Sequence, residues 1–259
     1  MKAVFLSDAH ITGHADPNLP PLLAFLETLR GRLDRLYLVG DLFDTWFAFP
    51  RAVFDTYIPL LGALDAVHRA GTKLVYVTGN HDFEMGDCFR KILDADVHDT
   101  DVEVNEDGRR AYVAHGDLAN PKDKGYRRLR AILRSGLVRW LGRRLPPSWV
   151  WHAAHGLRRT CGRERWADGN GLGEVFSAHA AEKHKEGFDT VILGHSHEPV
   201  FEEAEGRAYV NLGDWISART WLEWTDGALR LKQWVWPEAE SRDFEPSVSP
   251  SANYSSMRK

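Results

Sequence analysis

Residues 75–83 read VYVTGNHDF. A β-branched and aromatic run ends abruptly in Gly79-Asn80-His81-Asp82. Short apolar runs of this kind fit a strand buried on both faces. Taken alone, the polar cluster after it is a turn. Its meaning depends on how the other apolar runs end.

They end alike. AVFLSD (3–8) runs into Asp8-Ala9-His10, and LYLVGD (36–41) ends in Gly40-Asp41. VEVNEDGRRAYVAHGD (102–117) alternates around Glu106-Asp107-Gly108, a hairpin turn, and ends in His115-Gly116-Asp117. FDTVILGHSHEPV (188–200) carries Gly194-His195-Ser196-His197. Helix patterns separate the first strands: LPPLLAFLETLRG (19–31), with prolines at its start and glycine past its end, and 53–70, stopped by Gly71. The order β-α-β-α-β predicts a parallel sheet covered by helices. In such a sheet ligands bind beyond the carboxyl ends of the strands, where all five clusters fall.

Carboxylate, amide and imidazole without thiolate suit Mn²⁺, Fe²⁺, Zn²⁺ or Co²⁺, with Mn²⁺ the expectation. Two such ions clamp a phosphate and acidify a water between them. One carboxylate must bridge them to offset their repulsion. Asp41, alone at the end of its strand, is the natural bridge. Each motif has a bland reading: Asn80-His81-Asp82 as a polar turn, His10 as a turn cap, Gly40-Asp41 as a helix start. The set of five in order is what points to a site.

These residues resemble the signature of the calcineurin-like metallophosphoesterase superfamily: D-x-H, G-D, G-N-H-D/E, H-G and G-H-x-H, spread over positions 8–197. The resemblance implies a four-layered α/β/β/α sandwich. It implies a first metal held by Asp8, His10, Asp41 and His197, and a second held by Asp41, Asn80, His115 and His195. His81 would stand beside the phosphate and either stabilise the transition state or protonate the leaving oxygen, with Asp82 orienting it. The flanks GDLFDTW, HGD followed by DKGY, and ILGHSHEPV look like the UDP-2,3-diacylglucosamine diphosphatase branch, which inserts a helical cap and releases UMP from a doubly acylated UDP-sugar. On that resemblance Asn80, His81, Asp123 and His195 would contact substrate. The best-known members of the branch carry arginine where this chain has His81.

The remaining patterns divide the chain. Residues 1–119 and 171–236 are expected to form the core, 120–170 a basic helical cap, and 237–259 a disordered tail. RAYVNLGDW (207–215), SARTWLEWTD (217–226) and ALRLKQWVW (228–236) read as strands of a second, antiparallel-rich half, and 172–186 as a helix. YRRLRAILRSGLVRWLGRRL (126–145) reads as one amphipathic helix, with a possible break at Gly136. From Lys122 to Trp166 there are thirteen Lys or Arg against two acids, a surplus of +11. The chain as a whole carries −4, so the other 214 residues sum to −15. Such a segment fits an anionic lipid-linked diphosphate and the inner membrane surface. Single-stranded nucleic acid, in a soluble phosphodiesterase or nuclease, and an ordinary solvated arginine face are the alternatives.

At 259 residues, 43% hydrophobic, the chain is long enough for one large domain with an insertion. Two cysteines at no metal-like spacing argue against a disulfide framework and for a reducing, cytoplasmic location. The apolar run before Asp8 is too short for a signal peptide. His14, His68, His98, His152, His155, His179 and His184 are expected to be surface or packing residues, and Gly213-Asp214 to have no metal role. No feature names a protein partner.

Overall fold

The computed structural model describes residues 1–50, 52–161 and 172–244. In chain order the elements are β1 (Lys2–Leu6), α1 (Leu19–Leu29), β2 (Arg35–Val39), β3 (Trp46–Phe47), α2 (Ile58–Arg69), β4 (Lys73–Val77), β5 (Asp82–Glu84), β6 (Asp96–His98), β7 (Asp101–Glu106) and β8 (Arg109–Ala114). There follow α3 (Lys124–Leu133), α4 (Gly136–Gly142), α5 (Pro147–Cys161) and α6 (Leu172–Lys185). The chain continues through β9 (Thr190–Leu193), β10 (Pro199–Ala204), β11 (Arg207–Leu212), β12 (Thr220–Thr225), β13 (Ala228–Val235) and β14 (Glu240–Asp243).

Two sheets carry the fold. One has the order β14-β13-β12-β1-β2-β4-β6, the other β10-β11-β9-β8-β7. Strands β1, β2, β4 and β6 run parallel, as do β8, β9 and β11. Side chains alternate across each strand. In β1, Val4 and Leu6 join the core under α1 and α2, while Ala3 and Phe5 face the second sheet. In β9, Ile192 faces the first sheet, while Val191 and Leu193 pack with Phe176 and Ala180 of α6. The result is four layers, helix, sheet, sheet and helix, as the resemblance implied. The parallel strands of both sheets bring their carboxyl ends to a shared edge.

Phe25 of α1 is fully buried, with ring centroids 5.0 Å from Trp215, 5.0 Å from Trp221 and 5.3 Å from Trp234. Truncating it leaves a cavity between rigid indoles that cannot collapse. Phe25→Ala is expected to cost about 3–5 kcal/mol, read as a lower urea midpoint at unchanged m-value.

Two expectations need correction. The amphipathic stretch 126–145 is two helices, not one. The break falls at Arg134-Ser135, where the Ser135 hydroxyl accepts from Val138 N as the N-cap of α4, and Gly136 already belongs to that helix. The tail expected to be disordered from 237 contributes β14, which pairs with β13 from Val235↔Glu240 to Lys232↔Asp243. Its polar composition misled because an edge strand exposed along its length needs no apolar face. The remainder of that tail, from 245, and residues 162–170 of the expected cap lie outside the described residues. Among the described residues no helix is long and apolar enough to cross a membrane.

Candidate functional site

Each predicted residue hangs from a parallel strand. Asp8 and His10 follow β1, Asp41 follows β2, Asn80 and His81 follow β4, His115 follows β8, and His195 and His197 follow β9. The backbone turns sharply there. Asp8, His10, Asp41, His195 and His197 have φ of 54°, 45°, 54°, 68° and 60°. Left-handed backbone costs a non-glycine residue on the order of 1 kcal/mol or more, and such residues gather where function holds them.

The side chains meet in two groups that share a carboxylate. In the first, Asp8 Oδ1 lies 3.6 Å from His10 Nε2 and 3.3 Å from His197 Nε2, and the two imidazole nitrogens are 3.3 Å apart. In the second, His115 Nε2 lies 3.1 Å from Asn80 Oδ1, 3.1 Å from His195 Nδ1 and 3.4 Å from Asp41 Oδ2. Asp41 Oδ2 also stands 3.9 Å from both His10 Nε2 and His81 Nε2. Atoms that bind one ion at about 2.0–2.2 Å sit roughly 3–3.5 Å from each other, so these spacings fit ligand sets.

The donor chemistry fits as well. His115 Nδ1 donates to Val39 O at 2.9 Å, which aims Nε2, the atom left for a proton or a metal ion, at Asn80 Oδ1 and Asp41 Oδ2, both acceptors. Nothing nearer than the ring nitrogens of His197 and His10, at 3.3 and 3.6 Å, meets the fully buried Asp8 Oδ1 among the described residues. Acceptors converging on acceptors call for a cation at each point.

The electrostatics agree. Burial pushes Asp8 up, but His115, His10 and His197 outweigh it and hold the carboxyl well below its usual range. Burial likewise opposes Asp41, and His115 and His81 bring it down. Burial disfavours charge on His115, yet the carboxylates of Asp41 and Asp8 push it up to about 10. Burial and the charge of His115 push His195 down to about 4. The field that would hold a cation holds a proton on His115.

Asp82 differs from expectation, and Asp123 and Asp214 make contacts beyond those expected. Asp82 does not orient His81. It accepts from Gly79 N at 2.9 Å, Asp41 N at 3.0 Å and Tyr76 Oη at 3.0 Å, so it braces the backbone of two strand-end loops. His81 Nδ1 instead donates to Asp44 O at 2.5 Å. Asp123 accepts from Tyr126 N at 2.9 Å and caps α3. Asp214, set aside on sequence, lies with Oδ2 3.6 Å from His197 Nδ1. A signal for it existed: NLGD (211–214) repeats the LVGD pattern of 38–41 at the end of another parallel strand, β11. His152 Nδ1 is 2.6 Å from Ser148 O within α5, and the side chain of His155 lies outside the described residues.

Gly79 permits the closest approach. A Cβ there would stand 2.2 Å from Asp41 Oδ1 and 2.9 Å from Asp41 N. Gly79→Ala must displace the shared carboxylate. It is expected to lower kcat/KM by about 10²-fold, the scale of an ångström misplacement, with an unchanged circular dichroism spectrum.

A four-layered sandwich with paired Asp/His groups at its strand ends defines a metallophosphoesterase. The family model of the calcineurin-like phosphoesterases matches residues 1–199, and the chain belongs to that family. It is a hydrolytic enzyme, and the family implies divalent metal ions. Its relatives include proteins named UDP-2,3-diacylglucosamine hydrolase. That of Porphyromonas gingivalis is 29% identical over 254 residues, covering 89% of this chain and 97% of the relative. That of Aeromonas hydrophila is 30% identical over 244 residues, covering 90% and 98%.

Proposed function

We propose that this enzyme hydrolyses the diphosphate of UDP-2,3-diacylglucosamine, releasing UMP and the acylated glucosamine 1-phosphate in lipid A synthesis. The relatives' names support the reading. The observation that carries it is the surface of the helices between β8 and α6. There Ile132, Leu137, Trp140, Leu141, Leu145 and Trp149 are exposed, two of them to 67%, among the exposed Arg128, Arg143 and Arg144. Water-facing indole and leucine beside guanidinium suit a ligand with acyl chains and an anionic head. Residues 120–170 act as the cap, and the same face rests on the cytoplasmic leaflet of the inner membrane.

Asp8, His10, Asp41 and His197 would hold one divalent ion, and Asp41, Asn80, His115 and His195 the other, Mn²⁺ being the metal proposed for both. When bound, these ions supply positive charge to the phosphoryl oxygens and acidify water. His81 contributes the mobile proton. Its Nδ1–H is committed to Asp44 O, so the proton it transfers to the leaving oxygen sits on Nε2, the atom facing Asp41. Asn80, Asp123 and His195 contact the substrate, Asp123 from the start of α3. Asp214 holds the ring of His197 from behind, as outer carboxylates do for ligating histidines.

The test is direct. The Mn²⁺-loaded protein is incubated with UDP-2,3-diacylglucosamine, with shorter-chain analogues and with single-stranded DNA. UMP release that falls as the acyl chains shorten supports the assignment. Turnover of a simple phosphodiester or of DNA with no UMP release would reject it.

A further inference from the structure

The family signature leaves out Arg134, at the C-terminal end of α3. Its guanidinium reaches the strand-end loop that carries Asn80 and His81. Nη1 donates to Thr78 Oγ1 at 2.8 Å and to Asp99 O at 2.8 Å. Nη2 donates to Gly79 O at 2.6 Å and to Asp82 O at 3.0 Å. Gly79 and Asp82 flank Asn80-His81 on either side, so one nitrogen bridges both ends of the segment. Three backbone carbonyls converge on a single point, and only a cation with several donors satisfies them together.

We propose that Arg134 is a positioning residue. It fixes Asn80 for metal and His81 for proton transfer by clamping the loop from behind, and it ties the geometry of the site to the placement of the helices above. This rests on the roles given to Asn80 and His81 under the proposed function.

The obvious role for an arginine beside a diphosphate site is to grip the phosphate. Here four of the five N–H groups of a guanidinium are spent on the protein itself. The donors form a planar fork that a lysine cannot reproduce. The helix bearing Arg134 is anchored at a second point. Arg130 Nε lies 2.7 Å from the buried Asp117 Oδ2, and Tyr126 donates to the same oxygen, two residues beyond His115. Other arginines also meet this region: Arg130 Nη2 donates to Asp99 O at 3.0 Å, and Arg139 and Arg143 pair with Glu84 at 3.3 and 3.2 Å, but Gly79 O and Asp82 O are held by Arg134.

The experiment uses the full chain as Arg134→Ala and Arg134→Lys, with Mn²⁺ titrated by electron paramagnetic resonance and turnover measured in parallel. For both variants the expected result is a fall in kcat of about 10–100-fold, the scale for groups that orient metal ligands, at nearly unchanged KM. One of the two Mn²⁺ affinities, that of the position containing Asn80, should weaken while the other holds. Millimolar guanidinium should restore part of the loss in Arg134→Ala and none in Arg134→Lys.

A rise in KM at constant kcat would make Arg134 a substrate contact and overturn the proposal. Wild-type behaviour of Arg134→Lys would also overturn it, because charge alone would then suffice. If Arg134→Ala does not fold, Arg134→Lys decides by the same criteria. Asn80→Ala run alongside separates the two readings. Full activity there removes the site assignment and this proposal with it. Loss there, with both Arg134 variants normal, removes this proposal alone.

Discussion

Asp41→Ala is expected to lower kcat by about a thousandfold or more and to strip both metal positions at once. Asp41 Oδ2 reaches the imidazoles of both groups, at 3.4 Å from His115 and 3.9 Å from His10. Of the other proposed ligands Asp8 also spans the two, but through Oδ2, which accepts from the backbone N of His195 at 2.8 Å rather than from its imidazole. Losing several kcal/mol of charge stabilisation in the transition state corresponds to roughly three powers of ten in rate. His197→Ala provides the contrast, since it removes a ligand from the first position only. Metal content by mass spectrometry distinguishes the cases: close to zero ions per chain for Asp41→Ala, and one retained for His197→Ala. Retention of one tightly held ion by Asp41→Ala would show that the carboxylate is not shared.

The strand ends made this site legible. Period and chain order placed Asp8, Asp41, Asn80, His115, His195 and His197 at one edge, because an apolar run and the polar residue that ends it are neighbours in sequence. The four layers were implied by the resemblance alone; in the structure, alternation within β1, β2, β4 and β9 sends successive side chains to two different cores. What stayed hidden depends on contacts between distant segments. Asp82 looked like a partner for its neighbour His81, but a carboxylate one residue along an extended chain points to the other face. It instead reaches the backbone of residue 41. Asp214 carried a readable pattern that was discounted because it fell outside the signature. Arg134 was one arginine among many in a basic helix. Nothing local separates an arginine that faces water from one whose guanidinium meets Gly79 O and Asp82 O. The break at Ser135 shows the same limit, since the helix period continues past it while the cap hydrogen bond does not.

The affinity for metal is expected to rise with pH, by about tenfold per pH unit for each proton displaced. The proton at issue is on His115, whose pKa of about 10 keeps it charged at neutral pH. His197 is also raised, by hydrogen bonding to Asp8 and by the charges of Asp8 and Asp214 in spite of burial, and adds to the slope as it titrates. His195, held near 4, is already neutral and gives up nothing. Asp8 and Asp41 are ionised throughout, because both lie below their ordinary 3.8. Proton and metal therefore compete for the same lone pairs, and alkali favours the metal.

The fold responds in the opposite sense once chelator removes the metal. A histidine raised from 6.5 to about 10 stabilises the folded chain fully below 6.5 and stops doing so as pH rises through 10. The lowered carboxylates contribute above 3.8 and are lost as pH falls below it. From about pH 6.5 to about pH 9 the chelated protein should thus lose stability while the loaded protein, with no proton on His115 folded or unfolded, holds level, so the gap grows by the about 1.4 kcal/mol that each tenfold in affinity is worth at saturating metal. The difference between the melting temperatures with Mn²⁺ and with EDTA must therefore widen as pH rises. A gap that stays constant or narrows would mean that His115 Nε2 does not face the cation, and the second ligand group would have to be redrawn without it.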